Sequence, residues 1–184
     1  MTDQTAPSPL AVIDFWREAG PAKWFAKDDA FDAEFRSRFE AAHLMAAHRE
    51  LDHWAESPDG VLALLILLDQ FPRNVWRGTG HAFATDPLAR HFAALAVDQG
   101  LDRVIDNALR RFVYLPFQHS EDRADQDRAL ALFQTLERDD DDRWAEHHHA
   151  VIVRFGRFPH RNRALGRETT PEEQAFLDQD GFKG

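Results

Sequence analysis

Two short turns carry the side chains best suited to chemistry. Phe71-Pro72-Arg73-Asn74 and Phe158-Pro159-His160-Arg161-Asn162 each close an apolar stretch, and in each a glycine, Gly78 or Gly166, follows four residues after the asparagine. Proline cannot donate a backbone hydrogen bond and restricts the residue before it, so each copy is expected to end a helix and project an Arg-Asn pair at a fixed angle. Guanidinium forks hold a carboxylate or phosphate through two parallel hydrogen bonds. The same residues could equally clamp the fold, because Asp69 at the end of its helix meets the negative end of the dipole and calls for a cation, Arg73 or an arginine of the second turn.

His119-Ser120-Glu121-Asp122 forms another polar group. Ser120 before acidic residues reads as a helix N-cap, whereas His119 precedes the cap, where it can be aimed into a cleft. Adjacent residues cannot build a Ser-His-acid triad, and no nucleophile-elbow sequence is present. His147-His148-His149 point in different directions on a helix, so at most one faces inward. A metal would need His119, His148 or His160 to converge with Glu121 or Asp122. No spacing matches a metal signature, so neither metal nor cofactor is expected.

Helical spacing recurs and no segment alternates with period two, which predicts an all-α chain of about six to eight helices. The expected helices begin near Leu10, Asp28, Ser57-Pro58, Asp86-Pro87, Leu101, Glu121, Arg143 and Thr170-Pro171. The second of these is expected to run from Asp28 through the fifties. Tyr114-Leu115-Pro116-Phe117 is expected to interrupt the helix that starts at Leu101. Thr170 and Glu173 match a capping box. Val61 to Gln70 is apolar almost all round and should lie at the centre of the fold. Trp16, Trp24, Phe25, Phe31, Phe35 and Phe39 read as core. Short turns between helices make antiparallel helical hairpins the natural architecture.

The 184 residues suffice for one domain, expected over 9–180 after a frayed tail at 1–8. The absence of cysteine removes disulfides and thiolate ligands and fits a reducing compartment. No signal sequence is apparent at the start, and the longest apolar run, Val61 to Leu68, is too short to span a bilayer, so a cytoplasmic protein without membrane partners is expected. A net charge of −10 argues against nucleic acid as a partner. The aspartates at 139–142 read as a solvated loop or helix start, while Arg154, Arg157, Arg161, Arg163 and Arg167 crowd one later stretch.

In order along the chain, Phe15-Trp16, Trp24-Phe25, Phe31-Asp32 with Arg36 and Phe39, Leu68 to Asn74, Ala82 to Asp86, Tyr114 to Phe117, His119 to Asp122, Arg154 to Asn162, Leu165-Gly166-Arg167 and Thr170 to Glu173 resemble the bacterial domain of unknown function family 924. The resemblance implies an all-helical fold similar to tetratricopeptide-like hairpins and implies no activity. The family pattern has His-Arg-Asp before the second turn, whereas His148 is here followed by His149-Ala150. The resemblance therefore selects His148 as the inward histidine and puts in doubt any role needing a carboxylate at position 150.

Two functions remain open at this point. One is a pocket for a small anionic ligand, bearing a carboxylate or phosphate and lined by Asp69, Arg73, Asn74, Arg77, His148, Arg157, Arg161 and Asn162, with both turns meeting beside His119. Were turnover to follow, His119 and His160, with Glu121, would be the acid and base groups. The other is a protein-interaction module whose groove receives an acidic peptide, the turns then serving as staples.

Overall fold

The computed structural model describes residues 7–136 and 143–179, which form helices joined by turns, with no strand among the described residues. The fold is all-α. The aspartates at 139–142 lie outside the described residues. The chain divides into two compact units, Met1–Arg77 with His81–Pro116, and Gly78–Gly80 with Phe117–Gly184.

The first unit contains α1 (Pro9–Ala19), α2 (Pro21–Trp24), α3 (Asp29–Ala47), α4 (Pro58–Leu65), α5 (Phe71–Val75), α6 (Asp86–Asp98) and most of α7 (Asn107–Gln118). Caps of the expected type open several of these helices. Ser8 accepts from the Ala11 amide, Asp28 from those of Ala30 and Phe31, and Ser57 from that of Gly60. Every residue from Val61 to Phe71 is buried, so the apolar stretch is central to this unit, with α1 and α6 packed on α4. Phe15 stacks on Phe31 and Phe35 at 5.1 and 5.2 Å, and Trp16 meets Phe112 edge-on at 5.4 Å. Phe25 is the exception among the aromatic residues assigned to the core, because it is largely exposed.

Three boundaries differ from the sequence expectation. Helix α3 stops at Ala47 rather than in the fifties, because Arg49 takes a left-handed φ of 67° and ties back to Asp52 at 2.7 Å. Leu101–Val104 is a separate 3-10 turn, and α7 begins at Asn107. Pro116 does not break α7, which continues to Gln118.

The first Phe-Pro-Arg-Asn segment also continues a helix instead of ending one. Ile66–Gln70 widens into a π-turn in which the Phe71 amide bonds to the Ile66 carbonyl, and α5 follows directly, carrying Pro72 near its start. The next bond of that wide register would run from residue 72 to the Leu67 carbonyl, and proline has no N–H to supply it. Side chains take its place. His43 Nδ1 reaches the Leu67 carbonyl at 2.8 Å, Thr85 Oγ1 donates to that of Leu68 at 2.6 Å, and Arg73 Nη1 donates to that of Asp69 at 2.8 Å. A carbonyl can only accept, so His43 carries its proton on Nδ1. Thr85 stands at the N-cap of α6, yet makes no side-chain cap bond there.

The second unit contains α8 (Arg123–Phe133), α9 (Trp144–Phe155) and α10 (Pro171–Asp178), with α8 packed on α9. The N-cap of α8 is Asp122, not Ser120: Asp122 accepts from the amides of Ala124 and Asp125 at 2.7 and 3.3 Å. Ser120 instead accepts from the Asp122 amide and donates to Asp125. Helix α9 ends at Gly156, two residues before Phe158, and the second Phe-Pro segment is a 3-10 turn, Pro159–Arg161. The Thr170–Glu173 capping box that opens α10 is present. Gly78 and Gly166 have φ of 74° and 65°, so the repeated glycine serves the same left-handed exit after both segments.

Thr85→Val keeps shape but strands the buried Leu68 carbonyl. We expect a loss of about 1–3 kcal/mol in urea unfolding, and an unchanged midpoint would refute the bond's role.

Candidate functional site

In the first unit Arg73 is held between two buried carboxylates. Its Nη1 and Nη2 donate to Asp86 Oδ1 and Oδ2 at 2.9 and 3.0 Å, and Nη1 lies 3.0 Å from Asp69 Oδ1. Gln70 Nε2 donates to the other Asp69 oxygen at 2.6 Å. Burial works against the charge on Arg73, but Asp69 and Asp86 outweigh it and hold the guanidinium above its ordinary pKa. Beside this group, Asn74 Nδ2 donates to Asp32 Oδ1 at 2.7 Å, and Arg77 Nε donates to Asp32 Oδ2 at 3.1 Å. His43 is buried against Phe71 and Trp76, each at 5.0 Å between ring centroids, and burial lowers its pKa, with a smaller contribution from His81.

The second unit repeats part of this chemistry. Asn162 Nδ2 donates to Glu173 Oε2 at 3.1 Å, and Arg157 donates to both Glu173 oxygens at 2.6 and 2.9 Å. The Arg157 guanidinium pulls the Glu173 carboxyl down to about 2. In each unit, then, the asparagine of the turn and an arginine share one carboxylate from the first turn of a helix, Asp32 of α3 or Glu173 of α10. Glu121 accepts from the Phe158 amide at 2.8 Å and from Arg167 Nη1 and Nη2 at 2.7 and 3.0 Å. Burial opposes its ionisation, but Arg167 and the Phe158 amide prevail and lower its pKa, and Glu121 ties Arg167 to the backbone of the turn.

A different set gathers around Phe158. His148 meets its ring edge-on at 5.5 Å, His160 lies at 5.5 Å, the Arg161 guanidinium stands over the ring at 4.5 Å, and His119 is 6.1 Å from His148. His148 is the buried member of the three consecutive histidines. Its Nδ1 reaches the Trp144 carbonyl at 2.7 Å, which fixes the proton there in the neutral ring. Burial first, then His119, His160 and Arg161, push its pKa well below the usual imidazole value. Among the described residues, no three His, Asp or Glu side chains are placed to hold a metal ion.

The sequence-predicted residues thus fall into four groups: Asp69 with Arg73; Asn74 with Arg77; Arg157 with Asn162; and His119, His148, His160 and Arg161, braced by Glu121. The sequence reading missed Asp32, Asp86, Arg167 and His43. The available signal was stoichiometric, since each guanidinium turn in an acidic chain needs a carboxylate. From the sequence alone Asp86 reads only as a helix opener and Glu173 only as a cap.

Two consequences can be measured. Arg73→Ala leaves Asp69 and Asp86 buried without their shared cation and should cost about 3–5 kcal/mol in thermal or urea unfolding, whereas a loss within experimental error would exclude the clamp. His43 and His148 have lowered folded pKa values, so the unfolded chain binds protons first and stability falls as pH drops below about 6.5. The melting temperature should therefore decline before the carboxylates titrate, and His148→Gln should shallow that decline.

A solved structure of a protein of unknown function from Agrobacterium tumefaciens is 53% identical, covers 93% of this chain and 97% of its own, and superposes with a TM-score of 0.88. A search of curated proteins gives no match. The family model for bacterial proteins of unknown function, DUF924, matches residues 12–181, and the chain belongs to that family.

Proposed function

We propose that the protein binds a small anion, a carboxylate or phosphate, at the His119, His148, His160 and Arg161 cluster. The observation that carries this reading is that two imidazoles, His148 and His160, and the buried Arg161 guanidinium meet one ring, Phe158, with His119 6.1 Å from His148. The clamp residues have a different task. Arg73, Asn74, Arg157 and Asn162 donate to the protein's own carboxylates and fix the backbone of the turns. Arg167 and Glu121 set the angle of the second turn and with it the direction of His160 and Arg161. His119 and His160 are the members proposed for proton transfer, because an imidazole can both give and take a proton.

A tetratricopeptide-like arrangement of hairpins belongs to the same proposal and is supported by the packing of consecutive helices α8 and α9, tied by His149 Nε2 and Asp127 Oδ1 at 2.8 Å. A cytoplasmic setting is supported by the cysteine-free composition. No helix among the described residues is long and apolar enough to cross a membrane.

The test is a thermal-shift series with inorganic phosphate and small carboxylates. A ligand at about one hundred times its dissociation constant should add about 2.7 kcal/mol to stability, a shift that Arg161→Ala should remove while the ligand-free protein still folds. Equal shifts in the wild type and Arg161→Ala would place binding elsewhere, and no shift with any probe would overturn the reading.

A further inference from the structure

We propose that His43 and His81 of the first unit form a surface site for a divalent transition-metal ion of the imidazole-preferring class, with water or Glu40 completing its shell. The inference is independent of the anion-binding reading, which concerns the second unit. His43 carries it. Its Nδ1 donates to the Leu67 carbonyl at 2.8 Å, so the neutral ring presents a lone pair at Nε2. A carbonyl on one ring nitrogen is the arrangement that fixes the tautomer and orientation of an imidazole whose other nitrogen binds a metal. Burial lowers the pKa of His43 and so keeps the ring in the neutral form that a metal requires. Nε2 makes no hydrogen bond among the described residues, yet it is not one of the polar atoms enclosed without a partner, so the 1% of His43 that remains exposed includes it.

A second imidazole stands beside it. His81 is exposed on the 3-10 turn Gly80–Phe83, with its ring centre 6.2 Å from that of His43. Imidazole nitrogen binds zinc at about 2.0–2.1 Å, and adding the distance from that nitrogen to the ring centre puts two rings that share one ion roughly 5 to 6.5 Å apart. The observed separation lies at the wide end of this range, and rotation of the exposed His81 ring closes the angle. Trp76 backs both rings, at 5.0 Å from His43 and 4.0 Å from His81, which limits the positions His81 can take.

The nearby charges fit a cation. Glu40 lies one turn before His43 on α3, and its negative charge acts on His43. It has no ion pair among the described residues. Arg36, a turn earlier, is the opposing charge, and it is committed to the Val75 carbonyl at 2.9 Å and lies 5.8 Å from the Trp76 ring. Two imidazoles are in place rather than a set of three ligands, so the ion keeps open positions for water unless the Glu40 side chain turns to it. The second unit differs in this respect. There the Arg161 guanidinium stands 4.5 Å from the Phe158 ring, whereas Arg73, which follows Phe71, is turned to Asp69 and Asp86.

Isothermal titration calorimetry of the full chain with zinc chloride tests the site, at about pH 7.5, where imidazoles are mostly neutral. The wild type should bind one zinc ion at this site. His81→Ala removes an exposed ring and should weaken that binding by at least about tenfold, the smallest loss expected when even a ligand's outer partner is removed. His43→Gln, which keeps a donor for the Leu67 carbonyl, should weaken it as much. Should that variant not fold, His81→Ala decides alone. His53→Ala removes another exposed histidine and should bind zinc as the wild type does. No zinc binding, or unchanged affinity in either His81→Ala or a folded His43→Gln, overturns the proposal. An equal loss in His53→Ala overturns it too, because zinc would then be spread over surface histidines.

Discussion

The missing N–H of Pro72 is the constraint on which the first unit is built. After the π-turn Pro72 has no N–H to give to the Leu67 carbonyl, inside a segment whose residues are buried from Val61 onward. An unsatisfied buried carbonyl costs about 1–3 kcal/mol, so the turn persists only if donors are brought to it. His43 of α3 brings a donor to the Leu67 carbonyl, and Thr85 at the start of α6 and Arg73 of α5 reach the neighbouring carbonyls of Leu68 and Asp69. Local backbone chemistry thereby dictates which helices pack against the central segment. Arg73 then has its remaining donors aimed at Asp86, so the same guanidinium that serves the carbonyl of Asp69 also anchors the first turn of α6.

The two Phe-Pro segments share residues but not conformation. One is a continuation of a helix and the other a 3-10 turn after a helix has closed on glycine. What they share is the use of asparagine. Its amide donates to a carboxylate in the first turn of another helix, and an arginine completes that carboxylate's coordination. A charged acceptor strengthens such a bond, and a guanidinium neutralises what would otherwise be a costly buried charge. The repeat in the sequence is therefore a repeat of fastening chemistry, and the histidines that flank each phenylalanine, His43 and His148, each hold a backbone carbonyl through Nδ1.

Much of this could be read from residues alone. Ser57-Pro58 and the Thr170–Glu173 box are local signals, and local signals depend on the few residues that make them. The all-round apolar stretch from Val61 had to be central because no face of it could meet water. The sequence rule fails at Pro72 because a proline ends a helix only where the carbonyl it leaves unpaired finds no other donor. For Pro72 the deciding donors, His43 and Thr85, are remote in sequence, and nothing in the local pattern announces them. The pairing of Asn74 with Asp32 was hidden for the same reason. His148 was selected through the family resemblance, since three consecutive histidines differ only in which way the helix turns them.

The histidine cluster follows a different electrostatic logic from the clamps. Arg73 and Arg157 carry charge at every physiological pH and therefore need fixed carboxylates beside them. Imidazoles can be gathered around Phe158 while neutral, which avoids most of the mutual repulsion that three more guanidinium groups would create. The repulsion appears only as protons are added, and the lowered pKa of His148 reflects it together with burial. The clamps, by contrast, need their permanent charge to hold the fold.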